Sequence, residues 1–168
     1  MTNFKSITLP ALFCIITLLF SSAIQAQEPV DKLISKYKNT KGFTSAISTK
    51  EQMKTIKSMA HMVGGQQGKI LMQTDESCYI EYKGKNPNLD KFYQEAIDLF
   101  RTIAGHTEID TNESDIVGKA FVVKQGNICK EISVVVISNK KVTIFSTKGN
   151  FEEEALKTLQ ESAIKGKK

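Results

Sequence analysis

Met53, Met59, His61, Met62 and Met72 crowd into one short span of the chain. Thioether sulfur and imidazole are soft donors that suit copper(I), so Met59, His61 and Met62 are the candidate metal ligands. Their spacing argues against a single site. At about 100° per residue in a helix, Met53 and Met59 fall on or near an apolar stripe with Ile56, Ala60 and Val63, whereas His61 and Met62 point elsewhere. Core filling by Met53 and Met59, with His61 and Met62 exposed, is the competing assignment.

Three other stretches imitate known chemistry. Gly64-Gly65-Gln66-Gln67-Gly68-Lys69 has the composition of a phosphate loop, but only three residues separate Gly64 from Gly68 and Ile70 follows the lysine. A Walker loop needs four residues between its glycines and Ser or Thr after the lysine. The segment reads as a plain loop. Asp110, Asn112, Ser114 and Asp115 begin like a calcium loop, yet the sixth and twelfth positions are Asp115 and Phe121 where glycine and glutamate belong. Nucleophilic catalysis needs a base beside Ser or Cys. The two histidines, His61 and His106, sit in no such local pattern, and no paired carboxylates stand out. A non-enzymatic protein is the expectation, with no cofactor.

These residues must be held by a frame, and its centre is Val117 to Gly149. Phe121-Val122-Val123, Ile128 to Ile137 and Val142 to Thr147 are β-rich runs separated by Gln125-Gly126-Asn127 and by Ser138-Asn139-Lys140-Lys141. Runs joined so tightly pair antiparallel. Alternation along Ile128–Ile137 makes it half-buried at its start and more buried at its end. Earlier, Val30, Leu33, Ile34 and Tyr37 recur at helical spacing, and Phe43 to Ser48 forms a brief strand. Thr49 with Gln52 makes a capping box for a helix that buries Met53, Ile56, Ala60 and Val63 and stops at Gly64-Gly65. Ile70–Gln73 and Cys78–Tyr82 read as two more strands. The strongest helical pattern follows, capped by Asn88 and ended by Gly105, with Leu89, Phe92, Tyr93, Ala96, Ile97, Phe100 and Ile103 on its apolar face. His106 then has a capping or surface role, Glu108 to Asp115 is a polar stretch, and Asn150 caps a last helix carrying Ala155, Leu156, Leu159 and Ala163. The expected fold is α+β, an antiparallel β-sheet with helices packed mainly on one face.

The amino terminus reads as an address. Lys5, the apolar run Ile7–Phe20 and the small residues before Ala26-Gln27 form a secretory signal, with cleavage after Ala26. The run is shorter than the ~20 residues of a spanning helix and holds Pro10, so no transmembrane span is expected in the mature chain. Residues 1–26 are then a signal peptide and 27–168 one domain, exported to the periplasm or beyond. Cys14 leaves with the signal. Cys78 and Cys129 remain and either pair as a disulfide, contributing ~3–4 kcal/mol, or stay as separate buried thiols.

The formal net charge is +5 over 168 residues, carried by lysines spread along the chain. Arg101 is the single arginine, which disfavours a specific nucleic-acid reader.

Helix, Phe43-Thr44-Ser45-Ala46-Ile47-Ser48-Thr49-Lys50 and helix again resemble the opening of the bacterial domain of unknown function 4252 family. Lys119 to Gly149, with Gly126-Asn127-Ile128-Cys129-Lys130-Glu131-Ile132, and the ending Ile144-Phe145-Ser146-Thr147-Lys148-Gly149-Asn150-Phe151 are similar to it too. Gly64 to Lys85 departs from the pattern. The resemblance implies a small secreted or lipoprotein-like envelope protein of α+β fold, with no activity to transfer and a link to envelope-stress regulation through extracytoplasmic sigma factors. The expected function is binding of a partner protein or cell-surface component, with an exposed apolar sheet patch near Val135 and Ile137. The alternative is a small-ligand or copper carrier using the Met/His region or a helix–sheet pocket.

Overall fold

Runs of β-branched residues need a partner strand for every backbone group and a cover for every apolar side chain, and both are present in the fold. A computed structural model describes residues 28–85, 87–103, 106–110, 117–138, 140–152 and 154–155. In chain order these form α1 (Glu28–Tyr37), β1 (Phe43–Ser48), α2 (Lys50–Ser58), α3 (Ala60–Val63), α4 (Gly65–Gln73), β2 (Thr74–Lys83), α5 (Asn88–Arg101), β3 (His106–Asp110), β4 (Val117–Gln125), β5 (Ile128–Ser138) and β6 (Lys141–Phe151). The six strands make one antiparallel sheet in the order β1-β2-β6-β5-β4-β3. The architecture is α+β, and the three consecutive strands at its centre are those expected from the sequence.

Strand alternation sorts the side chains onto two faces. One face carries Cys78, Ile80, Tyr82, Phe121, Val135, Val142 and Ile144, and packs on Val30 and Leu33 of α1 and on Leu89, Phe92, Tyr93, Ala96, Ile97 and Phe100 of α5. Phe92 and Phe100 are wholly buried. Tyr37, Phe43 and Tyr82 surround Phe92, with Tyr37 edge-on at 4.8 Å between centroids. At the other end of α5, Phe100 stacks on Phe121 at 5.4 Å. The second face carries Ala120, Val122, Ile132, Val134 and Phe151, with Ile70 of α4 and Ala155 against them. Cys129 belongs to this second cluster.

The α2–α4 segment is a small helical cap with a core of its own, formed by Met53, Ile56, Ala60 and Leu71. Thr49 and Gln52 form the expected capping box at the start of α2. Gly64 and Gly65 take positive φ, 65° and 57°, and turn α3 directly into α4. Lys57 Nζ reaches Asp75 at 2.8 Å, tying the last turn of α2 to the strand that follows α4.

Several local expectations are corrected. Gly64–Lys69 is not a loop but the start of α4, and Ile70–Gln73 completes that helix rather than forming a strand. The wide apolar stripe Met53, Ile56, Ala60, Leu71 closes on itself, so helix wins over the short β-like run. Asn88 is the first helical residue of α5 rather than its cap, which is Pro87 without a side-chain bond. The helix ends at Arg101, and Gly105 lies outside the described residues. Asn150 lies in β6, where its side-chain oxygen accepts from Lys130 Nζ at 2.5 Å, because the strand runs two residues beyond Gly149. The patch expected near Val135 and Ile137 is covered: Val135 is wholly buried and Ile137 packs on the core under α5.

Gly149 tests the junction of cap and sheet. A Cβ there would lie 2.0 Å from the Gln73 carbonyl oxygen, where α4 passes into β2. Gly149→Ala is expected to lower stability by about 2 kcal/mol or more, the range of forced overpacking, in chemical denaturation. Ala at the open turn position Gly126, where no atom lies within 4 Å of the added carbon, costs less.

Candidate functional site

Two places gather residues whose chemistry exceeds packing. The first is the end of the helix-covered face beside the last turn of α5. Sheet register aligns Glu76, Lys148, Glu131, Val123 and His106 in one row, and Cys78, Ser146, Ser133, Phe121 and Glu108 in the next. His106 is buried, with 2 % of its side chain exposed. Its Nδ1 lies 3.1 Å from the Phe100 carbonyl oxygen. A carbonyl only accepts, so that nitrogen carries the proton. Nε2 faces Glu131 Oε1 at 3.9 Å and makes no hydrogen bond. Phe100 and Phe121 close around the ring.

A histidine beside a carboxylate is the core of many catalytic sites, yet it needs a nucleophile with access to substrate. Ser133 and Ser146 are fully buried, and their hydroxyls bond one another at 2.8 Å. Burial, with a smaller contribution from Asp31, pushes the Cys78 thiol up to about 12, which keeps it from the reactive thiolate form. His106 therefore reads as a tie between the start of β3 and the last turn of α5, with Glu131 of β5 beside it but not bonded to it. Sequence reasoning missed this pair, because its members lie on different strands and only the strand register brings them together.

The two cysteines do not form the disulfide that was one of their two alternatives. Both are free and buried, on strands separated by β6 and in opposite-face clusters. The bulge between Cys129 and Glu131 turns Cys129 to the second face. Burial raises its thiol as well, opposed by a backbone hydrogen bond at Glu131.

The second place is the outer surface of the cap. Met59, Met62 and Met72 are 40 %, 76 % and 55 % exposed, and Val117 is the remaining large apolar residue exposed in the described chain. His61 is exposed beside Met62. Met53 is buried as expected; Met59 is not, because α2 stops at Ser58 and Met59 breaks the helix before α3. His61 and Met62 are consecutive on α3 and diverge by about 100°. Among the described residues no group of three or more His, Cys, Asp or Glu side chains is placed to hold a metal. Asp110 belongs to β3 and pairs with Lys119 at 2.7 Å, whereas Asn112, Ser114 and Asp115 lie outside the described residues, as do Ala26 and Gln27.

Charge is concentrated at two strand neighbourhoods. Burial alone would raise the Glu81 carboxyl, but hydrogen bonds from Lys83, Lys141 and Tyr79 outweigh it and hold the group down at about 2. Bonds from Arg101 and Lys119 hold Glu108 at about 2, against a weaker effect of burial. Among the described residues no helix is long and apolar enough to cross a membrane. No family model, no curated protein and no solved structure matches the chain.

Two expectations follow. Cys78 and Cys129 stay unmodified by iodoacetamide at pH 8 in the native protein and are both alkylated in urea, read by intact mass. Glu81 and Glu108 have folded values below their ordinary 4.5, so their contribution is full above that value and is lost as pH falls towards 2. Stability therefore drops through that window, and Glu81→Gln makes the drop shallower in denaturation curves taken from pH 6 to pH 2.

Proposed function

We propose that the chain is an exported, non-enzymatic envelope protein that acts by binding a partner protein or a cell-surface component, with the outer surface of the α2–α4 cap as its contact. The carrying observation is the exposure of Met59, Met62 and Met72 on one short segment, while Val117 is the one other large apolar side chain exposed among the described residues. Methionine is flexible and polarizable, which suits a surface that must adapt to another surface. Export rests on the signal-like residues 1–26, with cleavage between Ala26 and Gln27. The resemblance to the domain of unknown function 4252 family agrees with an envelope protein and suggests a link to envelope-stress systems.

A native mass spectrum of the protein purified from its own host without reductant tests the reading. It predicts an unadducted chain beginning at Gln27, with both thiols reduced. A stoichiometric copper or small-molecule adduct that is lost from a Met59, His61, Met62 triple alanine variant contradicts it in favour of a carrier.

A further inference from the structure

The cap's methionines are accompanied by an excess of lysine, although Glu154 also meets the cap by accepting a hydrogen bond from Gln66. From Lys50 to Gln73 the chain has four lysines, Lys50, Lys54, Lys57 and Lys69, against the single acid Glu51. Lys57 is engaged by Asp75. Lys50, Lys54 and Lys69 are exposed, as are Met59, Met62 and Met72. The inner side chains of the same helices form a small core of Met53, Ile56, Ala60 and Leu71, with Ile70 packed on the sheet, and the exposed methionines belong to neither cluster. Neither β3 nor the α5 corner offers such a surface, because Arg101, Glu108, Lys119 and Asp110 neutralise one another there.

We infer that the cap docks on an anionic phospholipid surface, a claim that rests on the binding function proposed above and names its partner. Lysine ammonium groups meet lipid phosphates while their stems and the methionine thioethers lie in the headgroup layer. Three lysines near an anionic bilayer change the partition coefficient by roughly a hundredfold. The methionines add apolar burial that charge alone does not supply, and this separates the cap from a generally basic surface.

The test is flotation of the processed protein with vesicles of phosphatidylglycerol and phosphatidylcholine, and with phosphatidylcholine alone. Binding is expected on the mixed vesicles only. A Lys50, Lys54, Lys69 to glutamine triple variant and a Met59, Met62, Met72 to serine triple variant are each expected to lose at least about tenfold. A Lys38, Lys41, Lys85 to glutamine variant, which removes equal charge from exposed positions outside the cap, stays near wild type. Circular dichroism confirms that each variant is folded. No binding, equal loss in the control variant, or full binding by the methionine variant overturns the lipid assignment. In that event a photo-crosslinker at position 62 in intact cells distinguishes the two claims: a protein adduct retains the binding function with another partner, and no adduct removes both.

Discussion

The closure of α5 over the sheet is the interaction on which the rest depends. Phe92 at one end and Phe100 at the other are wholly buried, and each is locked by rings from the strands beneath or the neighbouring helix. Truncating such a ring in a close-packed interior costs about 3–5 kcal/mol, a large part of the stability of a domain this size. α1 is held through this same helix. Tyr37 packs on Phe92, donates its hydroxyl to Glu95 at 2.7 Å, and lies beside the Lys36–Glu95 pair.

This packing also buries polar groups on the helix-covered face. Ser133, Ser146 and Cys78 are buried on this face, and the two serine hydroxyls bond one another. His106 reaches back to the last turn of α5, so the helix end and the first edge strand share one hydrogen bond. The charged side chains of β3 and β4 lie outside this tie and pair with one another, which also shields that edge from pairing with another sheet. Among the described residues, the large apolar side chains left outward-facing are Met59, Met62 and Met72 of the cap and Val117 of β4.

Much of this was legible in the residues. The central strands announce themselves by β-branched runs and a glycine turn, α5 by its broad apolar face, and α2 by Thr49 and Gln52. The cap was misread beyond Gly64, because Ile70-Leu71-Met72 is too short an apolar run to separate helix from strand and its partners lie on α2. β3 was hidden because an edge strand with four polar residues in five has almost no alternation to detect. The His106–Glu131 pair and the separation of Cys78 from Cys129 depend on register and on a bulge, which no local pattern encodes. Met59 faces inward only if its helix continues, and the helix breaks there.

The central claim is that the cap, and not the polar end of the sheet, meets the protein's surroundings. Hydrogen exchange of the processed protein, alone and with envelopes from its own host, addresses it most directly. Slowed exchange confined to residues 50–73 is the predicted result. Protection centred on His106 and Glu131, or none anywhere, would contradict it.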